Sequence, residues 1–380
     1  MKQWARVTAV VGLSALAIAA CGEAPDEAGA AGAGDAPAAS GEATAGGEAS
    51  GEAATGDDAA PADFTGCMVT DSGGVDDRSF NEAADLGLTQ AVDELGIQKN
   101  VVESNAETDY TPNVDQLVQQ ECDLIIGVGF LLAGAVGEAA TANPEETFAL
   151  IDATLEAPAD NVKPLLFNTA EAAFLGGYLA AGMSETGTVA TFGGIPIPPV
   201  TIFMDGFVDG VAYYNEQKGT DVQVLGWDKE AQEDTFTGDF QNEAAGQTAT
   251  ENFISQGADI ILPVAGPVGK GAAAAAEESG TARLIWVDSD GYESVEQYKA
   301  LIISSVLKNI DAAVFAITQE TIDGAFTNEP YVGTLENGGV GLAPFHDFED
   351  EVGDELAGEL TTLQESIIAG DVVVESPASP

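Results

Sequence analysis

Positive charge is scarce in this chain of 380 residues: 11 Lys and Arg stand against 64 Asp and Glu, for a net charge of −53. Nucleic acid and anionic lipid headgroups repel such a polyanion, so neither is an expected partner. The balance suits a saline medium, where a short Debye length quiets self-repulsion. Histidine occurs once, at His346 in F-H-D-F, which leaves little for general acid–base catalysis and reads as a structural or exposed residue. The three cysteines lack metal-ligand spacing, and there is no G-x-S-x-G elbow, Cys/His pair, His cluster or Walker A loop. No metal, no cofactor and no enzymatic activity is expected. No apolar run in the folded part is a transmembrane helix.

What is present begins with a leader. Lys2 and Arg6 precede an apolar run from Val7 to Ala20, and I-A-A-C follows at Ile18 to Cys21. This reads as a signal peptide over residues 1–20, too short to be a permanent span. A cysteine after small residues and before Gly22 resembles a bacterial lipobox, which makes Cys21 the lipidated first residue of the mature chain. The acyl chains would hold the protein on the outer face of the cell membrane, anchored rather than spanning. Residues 21–63 are almost wholly Ala, Gly, Glu, Asp, Ser, Thr and Pro. With no branched aliphatic or aromatic side chain to bury, the segment is expected to be an extended, disordered tether. Loss of the leader removes two cations and leaves nine, so the mature charge is near −55.

Cys67 and Cys122 remain, each at the start of an apolar run. If those runs are neighbouring parallel strands about 5 Å apart, a disulfide is within reach. Oxidising surroundings outside the cell favour the bond. A pair of buried free thiols is the alternative.

From Phe64 onward, short apolar runs alternate with helical stretches, the pattern of parallel sheets covered by helices. Expected strands are 67–70, 101–103, 124–128, 148–151 and 165–167, then 188–192, 222–225, 260–264 and 284–287. The intervening helices are expected over 81–95, 111–120, 171–184, 201–216, 243–256 and 269–279. Two such series exceed one core and predict an α/β protein of two lobes. The tail reads as a helix at 292–300, a strand at 301–304, a helix at 310–323 and extended chain at 331–342. It is expected to return to both lobes, giving three hinge crossings of a clamshell. The first lobe is expected to hold 64–167 with about 291–326, and the second 168–290 with about 327–375.

The candidate binding residues all follow strands. V-T-D-S-G-G-V-D-D-R-S-F-N places Asp71, Phe80 and Asn81 at a strand end and the turn into a helix, where open α/β sheets bind ligands. Capping of turn and helix by Asp71 and Ser79 is the plainer account. Asp152 ends F-A-L-I-D. G-G-I-P-I-P-P-V-T-I-F-M-D-G-F-V-D-G carries Phe203 and Phe207 into a helix, the latter as core. L-P-V-A-G-P-V-G-K-G offers Gly266 and its neighbours as backbone donors. W-V-D-S-D brings Asp288, and S-S-V-L-K-N brings Lys308, which could instead pair with Asp311. Asp76 and Asp77 read as exposed loop acids or helix N-terminal charges rather than metal ligands.

Taken in order, T-D-S-G-G-V-D-D-R-S-F-N, G-F-L-L, F-A-L-I-D, E-A-A-F-L-G-G-Y-L-A, F-M-D-G-F-V-D-G, A-G-P-V-G, W-V-D-S-D and S-V-L-K-N resemble the basic membrane protein family, also called the purine nucleoside receptor type of lipoprotein (PnrA-like). The resemblance runs from about Gly66 to Asn309. It implies a two-lobed fold like that of ribose-binding proteins. It also implies a monomeric substrate-binding lipoprotein serving an ABC permease, with a nucleoside, usually a purine nucleoside, as ligand. Some relatives take riboflavin or other small molecules. Carried over by position, Asp71 would contact the base, Phe80 and Phe203 would sandwich it, and Asp152, Asp288 and Lys308 would hold sugar hydroxyls. Two departures bear on the ligand: Pro267 deletes one N–H of the glycine turn, and Asn242 stands where an acid is common. A nucleoside hydrolase is the enzymatic rival, but its calcium-binding D-x-D-P-G-x-D-D is out of register here by one residue. A sensor that delivers to no transporter is the third reading.

Overall fold

The computed structural model describes residues 63–380. The expected leader, Cys21 and all of the tether except Asp63 lie outside the described residues.

Five strands open the first sheet: β1 (Thr65–Thr70), β2 (Gln98–Val102), β3 (Leu124–Val128), β4 (Phe148–Ile151) and β5 (Val162–Phe167). Helices α1 (Phe80–Leu95), α2 (Tyr110–Gln119) and α3 (Ala133–Ala142) connect them. From Gly66 to Thr70 β1 is wholly buried, as expected of a parallel strand covered on both faces. Cys67 and Cys122 are joined in a disulfide with a Cα separation of 5.9 Å. β1 and β3 are neighbours, which resolves the alternative in favour of the bond.

The chain then enters α4 (Thr169–Met183) and a second series: β6 (Thr188–Gly193), α5 (Pro198–Lys218), β7 (Gln223–Leu225), a hairpin of β8 (Trp227–Asp228) and β9 (Glu233–Asp234), α6 (Glu243–Ser255), β10 (Ile260–Val264), α7 (Val268–Ser279) and β11 (Arg283–Asp288). The remainder is α8 (Gly291–Ser294), β12 (Ile302–Lys308), α9 (Ile310–Ile322), β13 (Tyr331–Gly333), β14 (Val340–Leu342) and α10 (Glu349–Ile368). A single helix expected at 292–300 is instead α8 followed by a 3₁₀ stretch, Glu296–Leu301. The final helix α10 was not expected.

The sheets run β13-β5-β4-β3-β1-β2 and β14-β12-β11-β10-β6-β7. Apart from the edge strands β13 and β14, both follow the same doubly wound order, which reverses beside the first strand of each series. Sheet membership corrects the expected division of the tail. Instead of joining the first lobe, β12 pairs with β11 in the second sheet. β13 pairs with β5 in the first sheet, and β14 returns to β12. α9 packs on α1 of the first lobe, and α10 packs on α4 of the second. The chain therefore crosses after β5, after β12 and after β13. A hydrogen bond from the Asn168 N–H to the Gly333 carbonyl (2.8 Å) and one from the Asn309 N–H to the Gly339 carbonyl (2.9 Å) stitch the crossings together.

Residues 169–181 of α4 are buried on almost every side, the mark of a helix enclosed by its neighbours. It meets α5 along a seam of small residues so close that a Cβ on Gly177 would lie 2.0 Å from the Phe207 carbonyl oxygen. That approach fixes the axis of α5 and the direction of its aromatic residues.

Candidate functional site

All eight candidate ligand residues, Asp71, Phe80, Asn81, Asp152, Phe203, Gly266, Asp288 and Lys308, line one cavity between the lobes. Each lies at or beyond the carboxyl end of a strand, and the switch points of both sheets contribute.

Asp71 follows β1, and its N–H donates to the Val128 carbonyl at 3.0 Å, extending the ladder by one residue. Its side chain fits only because residue 129 is glycine: Gly129 has φ +119°, and a Cβ there would lie 2.0 Å from Asp71 Oδ2. Burial holds the Asp71 carboxyl well above the usual carboxylate range, and the Asp77 and Asp152 carboxylates push the same way against the Asn81 amide and Lys308. The nearby Tyr110 phenol is pushed up to about 12 by burial and then by Asp71.

The acid pair in the same loop divides. Asp76 is exposed, but Asp77 is buried and caps α1. One carboxylate oxygen accepts from the Ser79 and Glu82 N–H groups at 3.0 Å, and the other from the Asn81 N–H at 2.8 Å. Burial nonetheless raises Asp77 to about 6. Ser79 makes no side-chain cap. Of the two roles expected for these acids, Asp76 fills that of exposed loop acid and Asp77 that of helix N-terminal charge, while the rival account of Ser79 as the cap gives way, because the Asp77 carboxylate already accepts from the N–H groups at the start of α1.

Asp152 and Asp288 are counterparts in the two lobes. Asp152 follows β4 and Asp288 ends β11, the fourth strand that each series gives to its large sheet, and each has left-handed backbone, φ +64° and +66°, a conformation that persists in a side-chain-bearing residue only where the surroundings impose it. Lys308, at the end of β12, pairs with Asp152 rather than Asp311, and both side chains are buried. Burial raises both carboxyls, against the pull of Lys308. Among the described residues lining the cavity, Lys308 is the one cation. No group of three or more His, Cys, Asp or Glu among the described residues is arranged to hold a metal.

Phe80 opens α1 and Phe203 lies near the start of α5, 1% exposed. The Lys308 ammonium is 4.9 Å from the centre of the first ring and 5.7 Å from that of the second, so rings from opposite lobes meet at one cation. Phe207 is fully buried core. Further walls come from Phe130, Ile197, Pro199, Val200 and Phe240, none of them expected. Phe130 could have been found from its place just after β3 at the switch point. Phe240 comes after the small β8–β9 hairpin and not after a strand of either large sheet, so no local signal marks it. Gly266 (φ +52°) and Pro267 face the cavity. Asn242 does not: it is exposed and caps α6 through Ala245 at 3.3 Å, which removes it as a ligand determinant. His346 pairs with Asp290 at 2.7 Å and stacks on Tyr292, 4.1 Å between centres.

Two doubly wound lobes joined by three crossings, with a cleft at their strand ends, define the class of solute-binding proteins. Residues 64–377 match the Bmp family, described as ABC transporter substrate-binding protein, PnrA-like, and the chain belongs to that family. It is 29% identical over 333 residues to the ABC transporter nucleoside-binding protein BmpA of Lactococcus lactis subsp. cremoris, covering 83% of this chain and 90% of that protein. It is 31% identical over 299 residues to a lipoprotein of Pyrococcus abyssi, covering 75% and 72%. Among solved structures, an ABC solute-binding protein from Aeropyrum pernix is similar with a TM-score of 0.75 at 29% identity, covering 83% of this chain and 94% of that one. No helix among the described residues is long and apolar enough to cross a membrane.

Proposed function

We propose that the chain captures a nucleoside, above all a purine nucleoside, and delivers it to an ABC permease from the outer face of the membrane, where lipidated Cys21 anchors it as a monomer. The observation that carries this reading is the composition of one cavity: aromatic rings from both lobes beside three strand-end carboxylates and a single ammonium. Rings suit the two faces of a base, at about 1–3 kcal/mol per stacked base. Carboxylates accept from sugar hydroxyls and the ammonium donates to them. A phosphate is disfavoured, because buried acids outnumber the one cation. The relative named as nucleoside-binding supports the same class.

The test is a calorimetric titration of protein unfolded and refolded to strip carried-over ligand, against adenosine, guanosine, inosine, uridine, ribose and riboflavin at low and high salt. Tight binding of purine nucleosides with ribose silent supports the proposal. Silence from all nucleosides, or preference for riboflavin, replaces it with another ligand.

A further inference from the structure

The counterpart aspartates Asp152 and Asp288 are each held by a residue of the opposite lobe. Asp152 of the first lobe is paired with Lys308 of the second. Asp288 of the second accepts a hydrogen bond from Ser79 of the first, Oγ to Oδ2 at 2.6 Å, with the Val287 carbonyl farther away at 3.3 Å. Ser79 is fully buried, and its hydroxyl is free for this contact because Asp77 has taken over the capping of α1.

The same loop makes the neighbouring lobe contacts. The Arg78 carbonyl accepts from Trp286 Nε1 at 3.3 Å and from Ser289 Oγ at 3.0 Å, and the Asp76 carbonyl accepts from Lys270 Nζ at 3.2 Å. Arg78 adopts φ +62°, a left-handed turn that lets consecutive groups of a short loop face the other lobe.

We infer that Ser79 is a positioning residue of the binding site. It orients the Asp288 carboxylate and makes that orientation conditional on closure, so that Asp288 is ready for its ligand only when the lobes are together. The ligand consequence rests on the nucleoside reading, in which Asp288 faces the sugar; the closure consequence does not. Ser79 is polar, buried and not a cap, and its shortest contact is to a carboxylate oxygen. A hydrogen bond to a charged acceptor is among the stronger ones, and its loss leaves the carboxylate unsatisfied in the closed state.

The test uses the ligand-stripped full chain. The Trp286 indole proton, which reaches Arg78 only across the cleft, reports closure through its solvent exchange, read by nitrogen-15 NMR. Ser79→Ala is expected to speed that exchange about tenfold or more. Asp288→Asn is expected to do likewise, and the double variant no more than either alone, since both remove one interaction. Calorimetry then separates the ligand part. Ser79→Ala should weaken nucleoside binding about tenfold and leave the free base nearly unchanged, whereas mere damage to the fold would lower both. Unchanged indole exchange in Ser79→Ala, or full additivity in the double variant, overturns the inference. If exchange responds as expected but the wild-type protein binds no nucleoside, the closure pair stands and the nucleoside reading falls.

Discussion

Lys308 and Asp152 come from different sheets and meet as a buried ion pair at the floor of the cleft. The pair lies 156 residues apart in sequence; Lys308 ends β12 and Asp152 directly follows β4. It brings the cavity's one cation to the acid of the opposite lobe, so the electrostatics of the site depend on how the lobes are juxtaposed.

Lys308→Met should therefore do more than delete a contact. Removing one member of a buried pair is typically destabilising by about 3–5 kcal/mol. Without the ammonium, Asp152 and Asp288 should rise further above their usual range, because the cation opposes the effect of burial on both. Ligand affinity should fall sharply at pH 7.5 and recover in part near pH 5, where protonation neutralises the unpaired acids. Thermal melts and calorimetry at both pH values check this. Equal loss at both would show that charge balance is not what Lys308 contributes.

Stability should decline with rising pH through the titration of Asp77. Burial raises its carboxyl from 3.8 to about 6, so the folded state binds the proton more tightly than the unfolded chain. The resulting stabilisation is complete below about pH 4 and lost as pH rises through 6, up to about 3 kcal/mol in all. Urea unfolding between pH 4 and 7 should show this slope, and Asp77→Asn should flatten it while keeping an acceptor for the start of α1. An unchanged slope in the variant would assign the dependence to other acids.

Reducing the Cys67–Cys122 bond should loosen the fold without disturbing recognition. The bond spans a sequence separation of 55, for which loop-closure entropy suggests about 4 kcal/mol. Cys67 lies near the start of β1 and Cys122 just before β3, at the ends of these strands away from the cleft. Urea unfolding with and without reductant should show the loss, with ligand affinity at low denaturant unchanged. A large affinity loss would mean that the bond also sets the strand ends.

Gly129→Ala should remove binding while largely sparing the fold. The new Cβ would collide with Asp71 Oδ2 and the backbone would keep φ +119°, strain of about 1–3 kcal/mol. Calorimetry should show loss for every base, and a melt should show a modest drop. Wild-type affinity in this variant would mean that Asp71 need not sit where it does.

Much of the fold was legible along the chain. β10 falls on the expected 260–264, and β3 and β4 on 124–128 and 148–151, because a buried parallel strand is a short apolar run between helices and declares itself locally. The eight ligand candidates share one cavity for a related reason: each ends or follows a strand, and the ends of parallel strands in a doubly wound sheet point the same way. The tail resisted the same reading. Strands β13 and β14 are three residues each, too short for periodicity to say which sheet they join. Helix α10 follows an acid-rich, glycine-interrupted start that masks its apolar face.

The sequence by itself determined the acidic character, the alternation of strand and helix, the division into two series and the strand-end position of the site residues, since each depends on composition or near neighbours. Tertiary structure alone decided that Lys308 pairs with Asp152 and not Asp311, that Ser79 reaches Asp288, that Gly129 makes room for Asp71, and that Phe240 walls the cavity. These contacts join segments far apart in the chain, and no local pattern encodes a partner that only the packing of one lobe against the other brings within bonding distance.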